Sequence, residues 1–388
     1  MGVLLGLGRQ VFASMPRILL NQWTVVALVA VIVLVFWQHE RLARSERTIY
    51  GAVKNDPLLQ TGLSLVYGTV AGAVTSLLLA LTGLAVAVPP GSVSPLPYLW
   101  PLALGLALIR PRYLCLAYAV CVLSLSTLVT GWPRIDIAST GALVAVLHLV
   151  EGLTVALAAT SCASPVAVQG ADGQAAAGFV LRRFWPVPMV VPVSFPGAPF
   201  ALVPFVAGMG YSGLAVRSSS RARAARSGGA LVLYGLTLLG LSLLASRWHP
   251  AVWLVATFSG AAHEALALWN GRDELARMPF LRRPGRGVGV FDVLPGTVGD
   301  AAGLRTGSVI LAVGGVEVRT RADVQRAVGN APAYLEIVFR NGRDLRNCRM
   351  PRPPDGAAGL GVILLPEPGD AAQLVVSAHG WSGPHARL

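Results

Sequence analysis

Over its first 270 residues the chain alternates long apolar runs with short basic loops, and after that the pattern shortens to the two-residue alternation of strands. Runs at 22–38, 58–88, 113–130, 137–160, 230–245 and 251–269 read as membrane helices, because a bilayer core needs about 20 apolar residues. Trp23 and Trp37 flank the first, where interfacial aromatics belong. Residues 96–109 are short for a span and carry Pro97 and Pro101. Residues 186–216 are apolar but hold Pro186, Pro188, Pro192, Pro196, Pro199 and Pro204, too many for one straight helix. Basic loops on both sides predict a re-entrant piece or short hairpin there. The expectation is seven or eight spans within 21–269, after an N-terminal interfacial segment at 1–20. Residues 39–56, HERLARSERTIYGAVKND, interleave charges as on a solvated helix extending from the first span.

A charged linker at 270–285 precedes a different kind of sequence. Val288, Val290 and Val293 alternate as in a half-buried strand. Pro295-Gly296 turns the chain, Asp300-Ala301-Ala302 allows one helical turn, and Gly303 is placed to end it. Residues 309–313 form a β-branched run closed by Gly314-Gly315. This order of strand, turn, short helix, AGLxxG, strand and GG resembles a PDZ domain of the bacterial type over 286–352, with a tail at 353–388. The resemblance implies a carboxylate-binding loop at Gly287-Val288-Gly289-Val290 and a receptive edge strand reaching Phe291. It also implies a groove wall from Ala322, Val324, Gln325 and Val328. The family's usual Asp after AGLxxG is Ser308 here, a position whose role is structural.

Composition narrows the class. Apolar residues make up 54% and charged residues 13%, against about a quarter charged in soluble domains. The net charge of +13 is almost all arginine, with Lys54 the only lysine. In a membrane protein this excess points to cytoplasmic loops facing anionic lipid. The arginines lie scattered in loops without aromatic interleaving, which argues against nucleic acid. The four cysteines form no CxxC and read as small apolar fillers, so neither a metal nor another cofactor is expected.

Three constellations carry possible chemistry. His263-Glu264 begins an HExxH zinc motif, but Ala267 stands where the second histidine belongs. The alternative places His263 and Glu264 at the cytoplasmic end of the last span, tethering the linker. Gly210-Tyr211-Ser212-Gly213 matches the GxSG of intramembrane serine proteases, but Arg217 follows where a long apolar helix should continue. His148 and Glu151, at i and i+3, share a helix face inside a span and read as a pair locking two helices.

Further stretches resemble the MinJ family, polytopic PDZ proteins of the division-site system in Gram-positive bacteria: LHLVEG at 147–152, GFVLRRFWPVP at 178–188, GYSGLAV at 210–216, AAHEALALWNGR at 261–272 and LGVILLPEP at 360–368. The fold expected is a multi-pass α-helical membrane domain followed by a small cytoplasmic PDZ-like α+β, barrel-like domain. The resemblance implies a non-enzymatic scaffold at septum and poles, with DivIVA and MinD as protein partners alongside membrane lipid; homo-oligomerisation stays open. The competing reading is an intramembrane protease or quality-control protein that uses the PDZ-like domain to admit substrate.

Overall fold

The computed structural model describes residues 2–169, 175–197, 200–275, 279–353, 355–356, 358–368 and 370. In chain order the first unit contains α1 (Gly2–Ser14), α2 (Arg17–Leu20), α3 (Gln22–Tyr50), α4 (Pro57–Thr82), β1 (Val86–Ala87), α5 (Leu96–Ile109), α6 (Leu116–Thr130), α7 (Ile137–Ala158), β2 (Ala163–Gln169), β3 (Ala175–Ser194), β4 (Ala201–Ala215), α8 (Ser220–Ala245) and α9 (Val252–Leu275). Among the described residues, five helical stretches are long and apolar enough to cross a membrane: Gln22–Thr48, Pro57–Thr82, Ile137–Cys162, Ser220–Ala245 and His249–Asn270. That is fewer than the seven or eight spans expected. With 14 and 15 residues, α5 and α6 reach only about 21–23 Å, short of a ~30 Å hydrocarbon core.

The larger difference lies at 186–216. Of the two forms expected there the described residues show a hairpin, but one of strands and longer than expected: β3 and β4 pair antiparallel from Phe179↔Ala215 to Val193↔Ala201. β2 covers the start of β3, and β1 pairs in parallel with its last two residues. The prolines explain what fills the gap between them. Positions 186, 188, 190 and 192 direct their backbone to the edge of β3 that faces away from β4. Three of the four are proline and have no N–H to satisfy. The fourth, Val190, donates its N–H to Ser76 Oγ on α4 at 2.9 Å. A helix can therefore lie against this edge without orphaning a backbone donor, as an apolar surrounding demands.

Small residues set the helix spacing. On α4, Gly68 and Gly72 meet the carbonyls of Pro186 and Pro188 so closely that a Cβ would lie 1.9 and 2.0 Å from the oxygens. α7 and α8 cross at Gly152 and Gly228 in the same way. α7 is the central helix, with 72% of its apolar window buried. Outward leucines such as Leu108 (90% exposed) and Leu157 (84%) present a surface suited to lipid. The N-terminal segment packs onto this unit, with Ile18 buried against Val190 and Val206.

The second unit comprises β5 (Val288–Val293), α10 (Val298–Ala301), β6 (Val309–Val313), β7 (Val316–Glu317), α11 (Arg321–Gly329), β8 (Tyr334–Asn341), β9 (Asp344–Pro351) and β10 (Val362–Leu364). Its sheet runs β10-β5-β6-β8-β9, with β7 beside β6. Val290, Ile310, Val328, Leu335, Ile337 and Phe339 form its core, each fully enclosed. Ser308 holds the turn before β6: its Oγ accepts from Arg305 N at 2.8 Å and donates to Asn341 Oδ1. α11 opens on a capping box in which Thr320 and Asp323 satisfy each other's backbone N–H. Thr320→Ala should therefore destabilise this unit by about 1 kcal/mol in chemical denaturation.

Candidate functional site

The first candidate is a trough of about 510 Å³ between the two units. Arg321, Val324 and Gln325 on α11 form one wall, and Leu360 to Leu364 form the other. The remaining side comes from the membrane unit, through Thr48 and Pro165 to Ala167. β10 is the outermost strand of its sheet and pairs antiparallel with β5 alone among the described residues. Gly361 O accepts from Leu294 N, and Leu365 N donates to Gly289 O, so these residues point their backbone at β5. By alternation the N–H and C=O groups of Val362 and Leu364 face the other way, toward the trough.

This geometry corrects the expected groove. β5 is not a free edge, since β6 holds one side of it and β10 the other. Val288 and Val290 point into the core, as does Val328 on α11. Gly287 (φ 84°) packs on the Ile310 carbonyl and Gly289 on the Leu365 side chain. Ala322 is exposed. Only Phe291, Val324 and Gln325 of the predicted residues line the trough. A second glycine-hydrophobic-glycine-hydrophobic run, Gly359-Leu360-Gly361-Val362, leads into the strand that does border it. Gly361 has φ 68° and a Cβ there would strike Thr297 at 2.3 Å, so the turn requires glycine.

The two units are joined around this site. Lys54 Nζ reaches Asp292 Oδ2 of β5 at 2.5 Å. The rings of Phe179 and Phe291 meet edge-on at 5.2 Å. Arg321 binds Asp370, and its N–H donates to Glu367, pinning the segment after β10 across the start of α11. Glu46 anchors the loop that carries Lys54. Its carboxylate accepts from Lys54 N (2.9 Å), Asn55 N (2.8 Å), Asn55 Nδ2 (2.5 Å) and Ser164 Oγ (2.5 Å). The stretch after the first span is helical as expected, with Arg41, Arg44, Ser45, Arg47 and Thr48 exposed, but His39, Ala43 and Glu46 form a buried face on it.

The second candidate lies inside the helical unit. His148 and Glu151 are both buried, with Nε2 3.7 Å from Oε2, as their shared face requires. They are not isolated. Cys115 Sγ stands 3.3 Å from His148 Nε2 and 3.5 Å from His263 Nε2. The two imidazoles meet edge-on at 5.3 Å, and Tyr234 packs against both. His263 thus belongs to the interior of the helix packing and does not tether the linker. Its neighbour Glu264 faces Arg112, which it binds, and accepts from Tyr118 Oη at 2.7 Å. Sequence reasoning missed Cys115 and His263 as partners of His148, because nothing local relates positions 115, 148 and 263. Ser212 lies within strand β4 opposite Arg182, not at the head of a helix.

Residues 289–341 match the PDZ domain family model. Neither a curated protein nor a solved structure matches the chain. The molecule is a set of five candidate membrane-spanning helices followed by a C-terminal β-sheet unit that carries the PDZ match.

Proposed function

We propose that the chain is a non-enzymatic membrane scaffold that captures an extended segment of a partner protein in the trough between β10 and α11. The outward backbone of Val362 and Leu364, beside the α11 wall, carries this reading. It offers main-chain hydrogen bonds to an added strand, and Gln325 with Arg321 faces that strand's side chains over the buried Val324. The PDZ match over 289–341 supports a protein-binding role. The trough also has membrane-unit walls at Thr48 and Pro165 to Ala167, so the full chain sets its shape. Arginines in the segment before the last two spans (Arg217, Arg221, Arg226) and in the segment after them (Arg282, Arg283) favour a cytoplasmic placement of the PDZ unit. The MinJ resemblance supplies the finer reading, a division-site platform with DivIVA and MinD as partners.

Gln325→Trp tests the site. Gln325 is exposed, so the change leaves the core untouched while filling the trough. Peptides selected from a displayed random library on the full-length chain in nanodiscs should bind the variant at least about tenfold more weakly, a loss of about 1.4 kcal/mol. Unchanged binding would place the site elsewhere. For the cellular role, a fluorescent fusion should concentrate at septa and poles; an even signal around the membrane would overturn the division assignment and leave peptide capture standing.

A further inference from the structure

We propose that Cys115, His148 and His263 are the protein ligands of a late first-row divalent cation, zinc by its chemistry, with Glu151 as the charge partner. The three donor atoms lie within 4.8 Å of one another. Around a tetrahedral zinc, bond lengths of about 2.3 Å to sulfur and 2.0–2.1 Å to nitrogen place sulfur and nitrogen roughly 3.6 Å apart. The two observed separations, 3.3 and 3.5 Å, are within a few tenths of that. Thiolate plus imidazole is a donor set that selects zinc and its neighbours over magnesium or calcium.

The surrounding groups fit the same reading. His148 Nδ1 lies 2.8 Å from the Val144 carbonyl. That contact assigns the proton to Nδ1 and leaves the Nε2 lone pair facing Cys115, the outer-shell arrangement of metal-bound histidines. Tyr118 and Tyr234 hold the His263 ring edge-on at 5.0 and 5.6 Å. Tyr234 is itself fixed by a 2.7 Å bond to the Ser259 carbonyl. The charges also balance. Glu151 is buried in a helix packed for a membrane, with one oxygen on Gly210 N at 3.0 Å and the other 3.7 Å from His148 Nε2. A buried carboxylate is stable only beside a positive charge or in its protonated form. A divalent cation with one thiolate and one carboxylate is neutral overall. On binding, the Cys115 thiol gives its proton to solvent, so affinity rises with pH. Glu264 is engaged by Arg112 and Tyr118 and does not reach this centre as a base. The role that follows is a staple joining the start of α6 to α7 and α9.

Full-length protein in nanodiscs, stripped with chelator and titrated with Co²⁺, tests the site. The expected result is one cobalt per chain with a thiolate-to-metal charge-transfer band. That band should vanish in Cys115→Ser and persist in Cys121→Ser. Zinc should raise the melting temperature of the wild-type chain and of Cys121→Ser, but not of Cys115→Ser. Glu151→Gln should keep the band and bind about tenfold more weakly, in the range of outer-shell substitutions. The wild-type titration needs no variant to fold: absence of the band there overturns the site. A band that survives in Cys115→Ser overturns it equally. Unchanged affinity in Glu151→Gln removes Glu151 from the assignment.

Discussion

Gly68→Ala or Gly72→Ala should destabilise the membrane unit severely, by several kcal/mol. The added Cβ would lie 1.9 Å from Pro186 O or 2.0 Å from Pro188 O. Both obstacles are backbone, so no rotamer change relieves them, and α4 must move off β3. That movement also breaks the Val190 N–Ser76 Oγ bond, the device that satisfies the proline-rich edge. Overpacking costs about 1–3 kcal/mol and an orphaned buried N–H another 1–3 kcal/mol. Together, about 2–6 kcal/mol, they reach the lower end of the 5–15 kcal/mol that holds a typical domain folded. Gly62 on the same helix supplies the control, because nothing lies within 4 Å of its Cβ position. Gly62→Ala should be neutral or stabilising by up to about 1 kcal/mol. Size-exclusion profiles in detergent and thermal unfolding compare the three. Equal stability of Gly68→Ala and Gly62→Ala would refute the close contact of α4 with β3.

How far the sequence reveals this arrangement depends on how local each cause is. The long helices are legible because their apolar runs are contiguous, and the strands from β5 to β9 because alternation and turn glycines sit side by side. The hairpin at β3 and β4 is not. β3 is buried along nearly its whole length, so the alternation that marks a half-exposed strand is missing from it and survives only in part of β4. Its prolines do exclude a straight helix, yet their two-residue spacing along one strand edge is the positive sign. The groove is half legible. Val324 and Gln325 follow from the helix pattern. But two glycine-hydrophobic-glycine-hydrophobic runs exist, at 287–290 and 359–362, and only strand order decides which one borders the trough. The intramembrane cluster is legible as far as His148 and Glu151, which are neighbours on one helix; Cys115 and His263 arrive from other helices.

Glu46→Ala should open the junction between the two units. Glu46 gathers the N–H groups of Lys54 and Asn55, the Asn55 amide and the Ser164 hydroxyl on one buried carboxylate. Alanine leaves all four donors facing a cavity. Bonds to a charged group contribute about 1.5–3 kcal/mol each and are not additive, so a loss of at least about 3 kcal/mol is expected. The loop then releases Lys54, and with it the bridge to Asp292 that ties β5 to the membrane unit. Because Lys54 is the only lysine, a lysine-specific protease can cut the chain at one place. In the wild type that site is protected, its N–H on Glu46 and its side chain only 18% exposed. When cleavage proceeds from an opened state in rapid equilibrium with the closed one, 3 kcal/mol corresponds to roughly a 100-fold faster cut. Glu40→Ala on the same helix should cleave at the wild-type rate, since the Glu40–Arg47 pair at 3.3 Å is partly solvent-exposed and worth about 0–1 kcal/mol. Equal acceleration in both variants would mean that general loosening of α3, and not the Glu46 carboxylate, governs the junction. Selective acceleration in Glu46→Ala, with peptide capture weakened in parallel, would show that the membrane unit's hold on Lys54 also sets the shape of the trough.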